Sequence, residues 1–264
     1  MKYWSQIVIL AFLSYSMQSC SILSAAGLSS QGQPIKKVFE KIDPTSQSVV
    51  DHSQWGVLLK KHVNSEGLVD YQGFLKDQKE LEAYLKMLAA NPPSESWTTA
   101  ELLAYYINTY NAYTVELILQ NYPIKSIKDI PGAWTKGRVP IGDKTLSLGG
   151  IENSILRKMN EPRIHFAINC ASLSCPNLLN EAYVPEKIAT QLDEVTRKFI
   201  NSSKNSLSKK EVKLSHIFKW YRKDFQVQGE KDLIGFINQY TQTKIAPNAS
   251  IDFLEYDWSL NEQQ

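Results

Sequence analysis

The chain has 264 residues, with 29 Lys and Arg against 27 Asp and Glu and a formal net charge of +2. Charges that nearly cancel and form no basic stripe exclude the electrostatic footprint of a nucleic-acid-binding protein. Hydrophobic residues make up 43%, enough for one large packed domain or two small ones.

Lys2 followed by Ile7-Val8-Ile9-Leu10-Ala11-Phe12-Leu13 reads as an export signal, since the apolar run is too short to span a bilayer. Two processing readings compete. Met17-Gln18-Ser19-Cys20 resembles a loose lipobox, in which Cys20 is lipidated and becomes the mature N-terminus, although Gln18 stands where a small residue is preferred. Ser24-Ala25-Ala26 instead offers small-residue cleavage after Ala26. The expected organisation is a signal over residues 1–26, a tether and N-terminal extension over 27–50, and a globular domain over 51–264. The expected localisation is the periplasm, the outer membrane as a lipoprotein, or the exterior, with membrane contact only through a lipid anchor.

Apolar residues at helical spacing predict helices over residues 34–42, 53–63 and 72–90, the last with Leu75, Leu81, Leu85 and Leu88 on one side before Asn91-Pro92-Pro93 stops it. Thr98-Thr99-Ala100-Glu101 reads as a capped start to a long helix ending near Asn121. Two short extended runs flanking Gly142-Asp143 predict a hairpin, and a helix follows Gly149-Gly150 to about Met159. A strand is expected over residues 163–169, and a helix from Pro185 to about Asn201. A second hairpin is expected around Lys209-Lys210, with helices over 217–225 and 232–240 and a last strand over 250–256. The sum is α+β: a helix-rich single domain around a small, mostly antiparallel sheet.

Chemistry concentrates in the run from Arg163 to Pro176, which holds His165, Asn169, Cys170 and Cys175. A thiol attacks only as thiolate, and an imidazole is the usual means of making one. Strand parity puts Cys170 on the greasy face with Ile164, Phe166 and Ile168, and His165 with Asn169 on the other. Cys175 lies beyond, in a loop that can fold back onto His165. Three readings stay open: a Cys175 nucleophile, a Cys170–Cys175 disulfide of the kind expected of an exported chain, and plain structure. On the long helix Glu101, Asn108 and Asn111 share a flank. The two amides either satisfy loop backbone or line a site as imidazole or oxyanion partners. Asp224 and Asp257 stand in aromatic clusters, where each caps or pairs with a cation, or else orients the imidazole. His52, His62 and His216 are scattered without ligand spacing, and His165, Cys170 and Cys175 fit no common zinc pattern.

Five blocks in order, residues 106–112, 164–172, 174–176, 217–225 and 256–261, resemble the domain of unknown function 547 found in bacteria and plants, from about Asp51 to Asn261. The resemblance names no reaction. It implies emphasis on His165, Cys175, Pro176, Asn108, Asn111, Trp220, Asp224 and Asp257. Family patterns hold Cys or Gly at the position of Cys170, which argues against a family-wide disulfide. A looser likeness is to papain-like and transglutaminase-like thiol enzymes, whose nucleophile precedes the histidine, whereas His165 here comes first.

The expectation is therefore an exported thiol hydrolase or acyl transferase acting on an envelope amide or ester. Cys175 serves as nucleophile and His165 as base, while Asn169, Asn108 or Asn111 orients the imidazole or holds the oxyanion. Trp220, Tyr221, Asp224 and Asp257 face substrate, and no cofactor or metal is required. The alternatives are a non-catalytic envelope module with a Cys170–Cys175 bridge, and thiol–disulfide exchange through the same pair.

Overall fold

A computed structural model describes residues 21–38 and 49–264; Cys20 lies outside the described residues. The long helix, Thr99–Leu119, is the axis of the molecule. Its start carries the expected capping box, in which the Thr98 side chain accepts from the Glu101 N–H and Glu101 reaches back to the Thr98 N–H, an arrangement worth about 0.5–2 kcal/mol. Every residue from Leu102 to Val115 is buried. A helix buried all round is enclosed by other elements rather than lying on the surface of a core.

Helix Gln78–Ala90 packs beside it, and helix Ser53–His62 packs in turn on Gln78–Ala90. The expected helix over 72–90 is two: Tyr71–Lys76 ends at Asp77, and Gln78–Ala90 follows. Leu81, Leu85 and Leu88 are buried as read, but Leu75 is 38% exposed, because the break rotates it out of the stripe. Residues 34–38 are not helical, and 39–42 fall outside the described residues. The presumed tether is docked: Ile35 packs against the core, and the Tyr106 hydroxyl donates to the Pro34 carbonyl at 3.3 Å.

The first hairpin pairs Val139–Ile141 with Lys144–Leu146 around Gly142, whose φ of +59° suits glycine. Beyond it, Leu148–Gly150 continues as a π-helical turn, Ile151–Ile155, and a 3-10 turn, Leu156–Met159. Ser206–Leu207 and Glu211–Leu214 form the second hairpin, and Glu211–Leu214 also pairs in parallel with Ser250–Phe253. Gln226–Val227 with Glu230–Lys231 make a small unpredicted hairpin. Helix Ile188–Ile200 starts slightly later than expected, while His216–Trp220 and Leu233–Asn238 are shorter than expected. The fold is helix-rich α+β, with its strands divided among small antiparallel and mixed sheets.

The main correction concerns residues 163–169, which are not a strand. Pro162–Phe166 is a 3-10 helix with Pro at its first turn, and the Glu161 side chain accepts from the Arg163 N–H. Proline has no N–H to lose at a helix start, and its fixed φ suits one. Ile164, His165 and Phe166 are all buried, so alternation no longer sorts them into faces. Phe166 lies in an aromatic cluster with Phe199, Phe218, Phe225 and Phe236.

Asn108 takes the structural role. Its Nδ2 donates to the Tyr183 carbonyl at 2.7 Å and its Oδ1 accepts from the Tyr183 N–H at 3.0 Å, both fully inside. Asn108→Ala would leave two buried backbone groups unpaired, and each such group costs about 1–3 kcal/mol. Urea denaturation of this variant should show a loss of about 2–4 kcal/mol with an unchanged slope.

Candidate active site

Asn111 fixes the thiol loop to the axial helix. Its Nδ2 donates to the Ala167 carbonyl at 3.0 Å, and its Oδ1 accepts from the Asn169 N–H at 2.8 Å. Asn169 does not orient the imidazole. Its Nδ2 donates to the Pro176 carbonyl at 2.7 Å, and its Oδ1 accepts from the Ala171 N–H at 2.8 Å and Asn261 Nδ2 at 3.3 Å. These bonds close the loop so that both cysteines meet one cleft of about 400 Å³. The closure places Ala171 at φ +57°, a left-handed conformation that costs a side-chain-bearing residue of order 1 kcal/mol or more.

The two thiols are free and exchange the roles that parity assigned them. Cys175 is buried at 3% exposure, whereas Cys170 is partly exposed. The Cys170 N–H donates to Cys175 Sγ at 3.0 Å, and the Cys175 thiol donates to the Ile168 carbonyl at 3.9 Å. The neighbouring Cys175 side chain lowers the Cys170 pKa against the opposing effect of burial, with help from Ser172 and Tyr256. Burial, and then the neighbouring Cys170, pushes the Cys175 thiol well up. Ser172 Oγ and Tyr256 Oη lie 3.2 and 3.3 Å from Cys170 Sγ and 3.0 Å from each other. One hydroxyl therefore points at the sulfur while donation from the other supports it.

His165 lines the same cleft, with its ring stacked on Tyr221 at 4.0 Å and 19° and tilted against Phe225 at 5.7 Å. His165 Nε2 lies 2.9 Å from Asp224 Oδ2. An ionised carboxylate can only accept, so Nε2 carries the hydrogen and Nδ1 the lone pair. That Nδ1 is buried and has no partner among the described residues. Arg157 grips Asp224 in bidentate fashion, through Nε at 2.6 Å and Nη2 at 3.0 Å. Burial alone would raise the Asp224 pKa, but hydrogen bonds from His165 and Arg157 outweigh it and hold the carboxyl below the ordinary range. No hydrogen bond joins His165 to either sulfur among the described residues, a separation common before substrate binds.

Trp220 is 45% exposed on the cleft and packs against Tyr256 at 4.8 Å and Trp258 at 5.8 Å. Asp257 does not reach the cleft; its Oδ1 accepts from the Ser259 N–H at 2.8 Å on an exposed turn. Asp224 stands behind the imidazole rather than facing substrate. Sequence reasoning missed Glu152, which the π-helical turn carries into the cleft. Its carboxylate accepts from the hydroxyls of Tyr110, at 3.3 Å, and Tyr221. An acid flanked by Ile151, Ile155 and Leu156 was the available signal. Among the described residues no group of three or more His, Cys, Asp or Glu has metal-holding geometry.

The family model described as "Protein of unknown function, DUF547" matches residues 94–200, and over this stretch the chain is similar to that family. The match takes in the axial helix, Glu152, His165 and both cysteines, and ends before Asp224 and Tyr256. No curated protein and no solved structure matches the chain.

Two outcomes check this geometry. Iodoacetamide should modify Cys170 ahead of Cys175, and should still do so below the ordinary thiol range near pH 8.5; peptide mapping that finds Cys175 modified first would reverse the assignment. Separately, a carboxyl whose folded pKa is depressed stabilises the fold above its unfolded value, about 3.9, and that stabilisation disappears as pH falls through the folded value. Melting temperature between about pH 2 and 5 should therefore fall less steeply for Asp224→Asn than for the parent.

Proposed function

We propose that the chain is a thiol-dependent hydrolase or acyl transferase acting on an amide or ester of the cell envelope, with Cys170 rather than Cys175 as nucleophile. The observation that carries this reading is a part-exposed thiol with donors at its sulfur, sharing an aromatic cleft with a His165–Asp224 pair. The His165 Nδ1 lone pair takes the Cys170 thiol proton as substrate closes the site, and the resulting thiolate attacks the carbonyl carbon while the C=O electron pair moves onto oxygen. The Ser172 and Tyr256 hydroxyls, already at the reacting sulfur, are released to donate to that oxyanion. As the C–N or C–O bond breaks, a proton carried on His165 Nδ1 passes to the leaving group, leaving a thioester on Cys170. Water or an acceptor nucleophile then attacks, gives its proton to His165 and frees the thiolate. Asp224 stabilises the imidazolium and fixes the ring, while Trp220 and Tyr221 hold the substrate's apolar part.

A second reading is favoured by two free, adjacent thiols, with the Cys170 N–H donating to Cys175 Sγ at 3.0 Å. In thiol–disulfide exchange Cys170 would attack a substrate disulfide and form a mixed disulfide. Cys175 would then displace it, leaving a Cys170–Cys175 bond and two reduced substrate thiols.

A panel of activated ester and anilide substrates separates the two. Cys170→Ala should reduce kcat/KM by about 10³-fold or more, and His165→Ala by about 10²-fold or more. Cys175→Ser should keep most acyl-transfer activity but abolish exchange. If Cys170→Ala retains full turnover, the hydrolase reading fails.

A further inference from the structure

The stretch between the two candidate cleavage points is built into the fold. Residues 21–25 form a helical turn, closed by the Ala26 N–H on the Ile22 carbonyl and the Leu28 N–H on the Leu23 carbonyl, both at 3.0 Å. Its carbonyls are held from the other side. Ser154 Oγ donates to the Ser24 carbonyl at 2.7 Å, and Asn153 Nδ2 donates to the Ala25 carbonyl at 2.9 Å. Glycines make room for it: a Cβ on Gly150 would stand 2.5 Å from Ser24 Oγ, and one on Gly137 would stand 2.8 Å from Ser21 Oγ. Ala25 lines the thiol cleft itself.

The turn is also inside out for a surface in water. Ser21 and Ser24 are buried, at 4% and 0% exposure, while Ile22 and Leu23 stand 58% and 48% exposed. An amphipathic turn normally buries its apolar side. Apolar side chains outward, immediately after a cysteine in a lipobox-like setting, match a turn resting on a bilayer.

We infer that the mature chain begins at Cys20, bearing a thioether-linked diacylglyceryl group, and keeps Ser21–Gly27 as a wall of the cleft. In the modification the sulfur of the Cys20 thiol attacks a glyceryl carbon of a phospholipid. A C–S bond forms, the C–O bond to the phosphate headgroup breaks, and the thiol proton passes to the departing phosphate. Water then hydrolyses the Ser19–Cys20 amide, freeing the Cys20 amine. Cleavage after Ala26 would instead strip away every contact just described and leave Gly137 and Gly150 bordering an empty groove. The consequence is a thiol site tethered within a few residues of the membrane surface, whatever reaction it performs.

The test is the intact mass of the full chain recovered from the membrane fraction of an exporting bacterial host, alongside Cys20→Ser. The expected result is a parent chain starting at Cys20 with diacylglyceryl mass, and a Cys20→Ser chain that keeps its leader. Amide exchange over residues 21–28 of the parent should be slowed at least tenfold relative to an unstructured peptide. A parent mature N-terminus at Gly27, equal processing of Cys20→Ser, or exchange at the unstructured rate would each overturn the inference. None of these readouts depends on catalysis, so the proposed chemistry can fail while this stands.

Discussion

The bidentate grip of Asn111 on the backbone of Ala167 and Asn169 is the constraint from which the site follows. A helix interior is a poor place for asparagine unless its amide satisfies something. Here it ties the axial helix to a loop with no regular ladder of its own. Asn169 passes the constraint on to Ala171, Pro176 and Asn261, and the Tyr71 hydroxyl completes the chain by donating to Asn261 at 2.7 Å. With every amide occupied, the loop has little freedom left, and the two sulfurs are held in one arrangement. These asparagines act by shaping the backbone beneath the thiols rather than by touching a reacting atom.

That arrangement makes two chemically identical side chains behave differently. Burial penalises an anion on either sulfur; at Cys170 the neighbouring Cys175, Ser172 and Tyr256 outweigh it, whereas at Cys175 the Cys170 N–H does not. The direction of these hydrogen bonds favours a thiolate at Cys170 over one at Cys175. The imidazole is arranged by a separate device, a stack of Arg157, Tyr221 and His165 with Asp224 bridging the two ends. The cleft thus joins two independently ordered units, a hydrogen-bonded sulfur and a braced ring.

Local signals were legible in the sequence. The Thr98–Glu101 capping box, the Gly142 hairpin and the buried stripe of the long helix each depend on residues a few positions apart. The bland role of Asn108 and Asn111 was also readable, because buried amides in a helix need backbone partners. The run 163–169 misled because alternating apolar residues look the same in a strand and in a tight turn enclosed on all sides; Pro162 was the better guide. With the strand gone, the parity argument for Cys175 over Cys170 lost its basis. The His165–Asp224 pairing spans 59 positions, and Glu152 enters through a π-turn that no periodicity announces. Both depend on how distant segments pack, which spacing along the chain does not carry.

The C-terminal residues are the last piece of this packing. The Asn261 N–H donates to the Ala171 carbonyl, the Leu173 N–H donates to the Ser259 carbonyl, and the Val69 N–H donates to the Asn261 carbonyl, so the tail is threaded between the first third of the chain and the thiol loop. Tyr256, whose hydroxyl stands at the Cys170 sulfur, arrives on the same stretch. A polypeptide made from its N-terminus onward therefore lacks the full set of partners of the Cys170 sulfur until nearly its whole length exists. Only when the final residues dock is the hydrogen-bonded setting of the Cys170 sulfur complete, so the site is a product of finished folding rather than of any one segment.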